Sequence, residues 1–216
     1  MPSSKIQFGC RLTKDKRDKR FRVPYRESDR TYRYWTVPRI LNQGSTNMCV
    51  AYAWLGFFAD SPMPQRPIPF YPPKKLYRKA LELDEYPGED DLGTSVRGGA
   101  KAAIALGQKI EYRWAQTIEE VIATVLEIGP MVVGTIWLPS MMNPKGTGPM
   151  KIDHKVKTFP GAHAYVLSGV NTKDGVFRLQ NSWGTAWANK GQAIITIDDF
   201  AKLNKYGYEA CIAMEL

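Results

Sequence analysis

The chain has 216 residues, 44% hydrophobic and 24% charged, with six Trp and eleven Tyr. That is enough to bury well over half of the unfolded surface in one domain or two closely packed lobes, and it excludes wholesale disorder. Its three cysteines, Cys10, Cys49 and Cys211, are too few and too scattered for the disulfide lattice of a small secreted domain, and they show no CxxC pair for zinc. No metal and no cofactor are expected. The first thirty residues hold no apolar core of signal-peptide length, and no later window approaches a membrane span. The sequence therefore predicts a cytoplasmic, reducing setting with no membrane partner.

The net charge of +9 is distributed unevenly. Residues 1–40 hold twelve Lys or Arg against four Asp or Glu, and the remaining residues hold eighteen against seventeen. A basic N-terminal arm, residues 1–30, can be read in two ways. It is a solvated, partly disordered tail, or it docks on nucleic acid or another acidic partner by releasing counterions.

Residues 32–40 (YRYWTVPRI) are apolar enough to be pinned to the body. They lead into the turn-like stretch Leu41-Asn42-Gln43-Gly44-Ser45-Thr46-Asn47. From Cys49 the run CVAYAWLGFFAD is apolar nearly all round, which predicts a buried helix with Ser45, Thr46 or Asn47 available as its cap. Residues 61–73 carry six prolines in thirteen positions, so no regular helix crosses them. A helix is predicted over 74–84, with Leu76, Tyr77, Ala80 and Leu81 on one face, followed by an acidic loop over 85–91. Two more helices are predicted. One covers 96–106 and is closed by Gly107; the other covers 118–128 between Thr117 as cap and Gly129-Pro130 as stop. The period then becomes extended, with strands over 131–138, 163–170, 176–179, 193–197 and 209–214, and Lys173-Asp174-Gly175 as a hairpin turn. The order predicts α+β with a helical lobe over about 49–128 and a β lobe over about 131–216.

Cysteine and histidine are the scarce reactive types. Only two histidines occur, His154 and His163. A thiol nucleophile needs a helix N-terminus and a neighbouring imidazole to favour its thiolate, and Cys49 has the helix position. Taken alone, a buried cysteine at a helix start is more often a packing residue. His154 follows Asp153 in a polar stretch without strand alternation and reads as a loop histidine.

Three motifs change the weighing of Cys49. The segment Gln43-Gly44-Ser45-Thr46-Asn47-Met48-Cys49 resembles the stretch around the catalytic cysteine of papain-like cysteine peptidases, and Gly161-Ala162-His163-Ala164-Tyr165-Val166 resembles the family's histidine strand. Asn181-Ser182-Trp183-Gly184-Thr185-Ala186-Trp187 resembles its asparagine motif, with Gly191 before the next strand. The resemblance runs from about residue 35 to 216. Residues 70–77 and Gly93-Thr94-Ser95-Val96-Arg97 look like the compact branch found in bacteria and their viruses, so a virion-associated location is a second expectation.

What the resemblance implies is a two-lobed papain-like fold, with an antiparallel β-barrel-like second lobe and the active site in the cleft between lobes. It implies Cys49 as nucleophile, His163 as base, Asn181 as orienter of the imidazole, and Gln43 with the Cys49 amide as oxyanion donors. Trp183 would shield the Asn–His bond, and Trp187 would line the leaving-group side. Gly93, Thr94 and Ser95 would offer backbone groups to an extended peptide or protein substrate, with a helix cap as the plain alternative. Ala162 and residues 131–133 would border a side-chain pocket.

The sequence also departs from the family. Val50 stands where an aromatic neighbour is usual, and Thr46 where secreted members carry a half-cystine. The segment before Trp35 is too short for the folded inhibitory propeptide of secreted zymogens, so restraint by substrate choice, a partner or packaging is expected instead. Rival readings are an amidase acting on peptidoglycan or another non-protein amide, and a non-catalytic papain-fold protein of a phage particle docked by its basic arm.

Overall fold

The computed structural model describes residues 7–13, 15–60, 62, 72–86, 88 and 92–216. Most of the proline-rich connection, with Phe70 and Tyr71, and part of the acidic loop lie outside them. Helix α1 (Cys49–Ala59) is the buried helix foreseen from its composition, and every residue in it except Tyr52 is buried. Its cap differs from expectation. Met48 stands at the N-cap with no side-chain bond, because the Thr46 hydroxyl is turned back to donate to Gln43 O at 2.7 Å. Helix α2 (Pro73–Leu83) begins with proline at N1, where the missing N–H costs nothing, and buries Leu76, Tyr77 and Ala80. Helix α3 (Val96–Ala105) is capped by Ser95, whose Oγ accepts from Gly98 N at 2.9 Å.

Two glycines let α3 lie close to its neighbours. A Cβ on Gly99 would stand 2.3 Å from Trp54 Cδ1, and one on Gly98 would stand 2.8 Å from Asp84 Cβ. Trp54 Nε1 then reaches Val96 O at 2.9 Å, locking α1 to α3. Helix α4 (Ile118–Glu127) has Thr117 as cap and Glu119 and Glu120 in its first turn, favourable to its dipole.

The sheet is antiparallel throughout. Strand β1 is Tyr32–Tyr34 and β2 Ile110–Trp114; β3 is Met131–Trp137, β4 Gly161–Asn171 and β5 Val176–Gln180; β6 is Gln192–Thr196 and β7 Tyr208–Glu215. The order is β2-β7-β3-β4-β5-β6, with β1 added on β4. It is an open seven-stranded sheet rather than a closed barrel. Strand β1 precedes the α-helices and β2 falls within the stretch 49–128 expected to be helical, so the division into a helical lobe and a β lobe is not strict. A short helix α5 (Ile197–Leu203), capped by Thr196, follows β6 where a strand end was expected.

Strand β4 positions the site. Its residues 161–167 pair with β3 and its last residues with β1, while β5 pairs only from Val166 onward. Opposite β3, therefore, the first residues of β4 have no neighbouring strand. The amino end of α1 faces this stretch.

The arm is placed against the body over its described residues. Asp15 caps a 3-10 turn (Lys16–Phe21). Buried Arg97 holds Asp18 at 2.5 Å and Asp15 at 3.4 Å. Arg22 pairs with Glu120, Arg30 with Glu127, and Val23 N donates to Trp114 O at 3.0 Å. Several of the arm's cations thus meet carboxylates of this same chain.

Asp60, fully buried at the end of α1, is pushed up to about 8 by burial, against the pull of Arg178. A carboxyl whose folded pKa exceeds its unfolded value loses stability as pH rises from the unfolded pKa, near 4, to the folded one. Asp60→Asn lacks that loss. Its Tm relative to wild type is expected to rise steadily between about pH 4 and about pH 8 by thermal melts; a difference flat across that window would remove Asp60 from the account.

Candidate functional site

Cys49 opens α1, where unsatisfied backbone N–H groups and the helix dipole favour an anion, and its side chain is wholly buried. The amides of Ala164, Gly9 and Val50 point at its sulfur and favour the thiolate. His163, two residues into the half of β4 that β5 leaves unpaired, is likewise buried.

The protonation of this imidazole follows from the hydrogen bonds around it. Ser182 N donates to Asn181 Oδ1 at 2.7 Å. An amide nitrogen only donates, so that atom is an oxygen. His163 Nε2, at 2.7 Å from the same oxygen, must therefore carry the proton. Nδ1 is left as a buried lone pair without a hydrogen-bond partner. The same loop settles Gln43. Its Nε2 donates to Thr46 O at 2.7 Å, its Oε1 accepts from Ser182 Oγ at 2.7 Å, and its backbone N donates to Ser182 O at 2.8 Å. These bonds use one of the two N–H groups of the Gln43 amide.

Two tryptophans pack on the imidazole and a third packs on them. Trp183 lies 4.7 Å from the His163 ring and Trp137 4.8 Å, centroid to centroid, and Trp187 stacks edge-on to Trp183 at 5.7 Å. Trp187 Nε1 donates to Met142 O at 2.9 Å, which fixes its ring.

The cleft holds residues 8–13 of the chain's own arm. Thr94 N donates to Gly9 O at 2.9 Å, Arg11 N to Thr94 O at 3.0 Å, and Cys10 N to Ala162 O at 3.3 Å. An extended strand is thereby bridged on one side to Thr94 and on the other to Ala162. Gly9 is required there, since a Cβ would stand 1.6 Å from Asn47 O. Gly93, at φ +101°, is also required, because a Cβ on it would stand 2.3 Å from Gly9 O. The Phe8 ring stands edge to face with His163 at 6.1 Å and with Trp183 at 6.3 Å, centroid to centroid.

This covering sets the electrostatics. Burial raises the Cys49 thiol to about 11, against the pull of the amides named above. Burial likewise lowers His163 to about 4, against the favourable bond from Asn181. Both directions disfavour charge. With the arm in place, sulfur and imidazole are both neutral at pH 7.

Measured against the sequence, His163, Asn181, Gln43, Trp183 and Trp187 are joined by these bonds and ring contacts, and Cys49 lies against the amide of Ala164, the residue after His163, with no hydrogen bond between its sulfur and Nδ1. Thr94 and Ala162 supply the backbone contacts to an extended chain, whereas Ser95 serves as the helix cap and donates to Glu85 Oε2 at 2.6 Å. The β3 residue that meets the arm is Gly134, one beyond the stretch 131–133. His154 pairs with Asp199 Oδ1 at 2.8 Å, on α5. Among the described residues no group of His, Cys, Asp and Glu is arranged to hold a metal. Sequence reasoning missed Trp137, Ser182 as the link between Gln43 and Asn181, and above all Phe8-Gly9-Cys10. A short extended stretch without periodicity carries no signal of where it docks.

No protein-family model matches the chain, and no curated protein matches it in sequence. Among solved structures the chain is similar to xylellain, a cysteine protease from Xylella fastidiosa, with a TM-score of 0.79 and 18% identity over 98% of this chain and 97% of that one. It is similar also to digestive procathepsin L 3 of Tenebrio molitor larval midgut (TM-score 0.63, 14% identity, 91% and 74% covered). A third similar structure is procathepsin B S9 from Trypanosoma congolense (TM-score 0.62, 12% identity, 94% and 85% covered). At these identities the likeness is one of fold, and the fold is the papain-like one. In the chain itself no helix among the described residues is long and apolar enough to cross a membrane.

Gly9→Val forces residues 8–11 out of the cleft, since its side chain collides with the Asn47 backbone. Water then reaches Cys49 and His163, and the thiol pKa falls. Alkylation of Cys49 by iodoacetamide at pH 7 is expected to accelerate at least about tenfold, because one pKa unit is a factor of ten in thiolate. An unchanged rate, followed by mass spectrometry, would show that the arm does not bury the sulfur.

Proposed function

We propose that this protein is a cysteine peptidase that cleaves extended polypeptides through an acyl-enzyme, and that its own arm holds it latent. The observation that carries the reading is the acceptance by Asn181 Oδ1 of two donors, Ser182 N and His163 Nε2, which leaves Nδ1 as a base in the cleft that α1 opens with Cys49. The main-chain bonds from Thr94 and Ala162 to a seated peptide strand favour a polypeptide over a non-protein amide.

In the reaction, His163 Nδ1 takes the Cys49 proton as sulfur attacks the scissile carbonyl carbon. The carbonyl oxygen becomes an oxyanion, held by the free N–H of Gln43 and by the Cys49 backbone N–H. The intermediate collapses by breaking the C–N bond, and the imidazolium gives its proton to the leaving amine. A thioester remains. Water then loses a proton to Nδ1 and attacks the thioester, and the C–S bond breaks with the proton returned to sulfur. Asn181 keeps Nδ1 aimed throughout, and the tryptophans keep competing water off the Asn181–His163 bond.

In this pose the N–H of Gly9 is turned toward the Cys49 sulfur. A substrate must displace residues 8–11 to reach Thr94 and Ala162.

The test uses full-length Gly9→Val with a mixture of unstructured peptides and mass-spectrometric mapping of products. Cleavage is expected in this background, lost with Cys49→Ala, and lowered at least about a hundredfold by His163→Ala. Gln43→Ala is expected to cost about a hundred- to a thousandfold. Cleavage that persists in Cys49→Ala would sink the assignment.

A further inference from the structure

The arm brings a second thiol into the cleft. Cys10 and Cys49 are both free and both buried. The Gly9 amide points at the Cys49 sulfur, and Cys10 is the next residue along the arm. Its own amide donates to Ala162 O at 3.3 Å, and its sulfur lies 2.8 Å from where Gly134 would carry a Cβ. Gly134 on β3 is the register partner of Ala164 on β4, and the Ala164 amide also points at the Cys49 sulfur. Both sulfurs therefore lie against one pair of facing residues in the sheet. After burial, the Cys49 sulfur is the next cause that holds the Cys10 thiol well above its ordinary pKa.

A disulfide needs its two Cα atoms about 4.4–6.8 Å apart. Cys10 is one residue from the amide at the Cys49 sulfur, and consecutive Cα atoms are about 3.8 Å apart. Closing the bond thus asks for a shift of about one residue's length, without refolding. Residues 9–11 are held in the cleft by main-chain hydrogen bonds, which a short slide can break and remake. The third thiol, Cys211, has no such freedom, because it is fixed in β7 between β2 and β3.

We propose that Cys10 is the resolving thiol of Cys49: a hydroperoxide oxidises the Cys49 sulfur, and Cys10 then closes a disulfide that fixes the arm in the cleft. The inference deepens the peptidase reading and rests on it for the activation of Cys49 by His163. With the arm away, Nδ1 takes the Cys49 proton and the thiolate attacks one oxygen of hydrogen peroxide. The O–O bond breaks, the departing hydroxide takes the proton from the imidazolium as water, and Cys49 is left as a sulfenic acid. When residues 8–11 return, the Cys10 sulfur attacks the sulfenic sulfur. The S–S bond forms, the S–O bond breaks, and the hydroxyl leaves as water with the Cys10 proton. The two sulfurs together give up two electrons, which the peroxide receives. Without Cys10 the sulfenic acid meets more peroxide and passes to the sulfinic acid, which thiols do not reverse. The cross-link spares the nucleophile while it shuts the cleft, and a dithiol reopens it by exchange.

The test treats the full-length native protein with hydrogen peroxide at pH 7, blocks free thiols with N-ethylmaleimide, and maps non-reduced digests by mass spectrometry. A Cys10–Cys49 link is expected, at least about tenfold more abundant than any link to Cys211, and dithiothreitol should return both thiols. Cys10→Ser fills the same space without the chemistry; it should leave no link and raise Cys49 sulfinic acid at least about fivefold. Gly9→Val, with its arm out of the cleft, should oxidise faster at Cys49 and give less than about a third of the native link per oxidised Cys49.

A native chain whose Cys49 stays a thiol, or passes to sulfinic acid as readily as in Cys10→Ser, overturns the cross-link. Links formed equally with Cys211 overturn it as well. Peptide cleavage by Gly9→Val keeps the two claims apart. Cleavage that depends on Cys49, with no link in the native chain, leaves the peptidase reading intact. A link without any cleavage supports the resolving thiol and overturns the peptidase reading.

Discussion

The amide of Ser182 donates to Asn181 Oδ1, and the chemistry available to the whole cleft depends on that bond. It makes the asparagine oxygen an acceptor on two sides and assigns the proton of His163 to Nε2, leaving Nδ1 as the only basic atom of the ring. The Ser182 hydroxyl meanwhile donates to Gln43 Oε1, so one residue holds both Asn181, the partner of His163, and the Gln43 amide. In a site where three tryptophans pack together such bonds act at low dielectric, where satisfied polar networks are rigid and unsatisfied ones costly. The free Nδ1 is therefore a polar atom kept unpaired at a cost that the surrounding packing must sustain.

That cost is tolerable because the site is stored neutral. Helix α1 is apolar nearly all round, so Cys49 arrives at the sheet with packing on every side and no water. Phe8 closes the remaining face. Desolvation works against both members of a thiolate–imidazolium pair, and the helix dipole and the amides at the sulfur do not offset it while the arm is seated. Reactivity is thus a property of hydration as much as of residue identity. Val50, which departs from the aromatic usual in the resembling family, is fully buried and leaves the sulfur in place.

The parts of the fold legible in the sequence are those with a strong local period or a local motif. Helix α1 was readable from its apolar run, α4 from Thr117 and Gly129-Pro130, and the three motif segments gave Gln43, Cys49, His163 and Asn181 in order. The strand IEYRW went unseen because its middle residues are only half-buried and carry charge. Helix α5 is a single short segment whose cue, Thr196 followed by Asp199, is easily absorbed into a strand end. The caps offered for α1 were misjudged since Thr46 had a nearer carbonyl to satisfy. The arm was judged by its charge, as a tail or a docking device. Its decisive residues are uncharged, and a glycine that only fits against Asn47 cannot be recognised until Asn47 has a place in space.

Strand β5 begins to pair with β4 only at Val166, and this gap has a consequence for competition. The backbone groups it leaves on β4, together with Thr94, are met by the extended residues 9–11 of the arm through main-chain bonds. The arm is tethered to the same molecule, so it contends for those groups at an effective concentration of the order of millimolar, whatever the concentration of protein. An external peptide meets its intrinsic affinity multiplied by the fraction of molecules whose arm has let go. Under the proposed function, turnover at low substrate follows the arm's own equilibrium, and shortening or loosening the tether changes the apparent affinity for every peptide alike without altering one atom of the site.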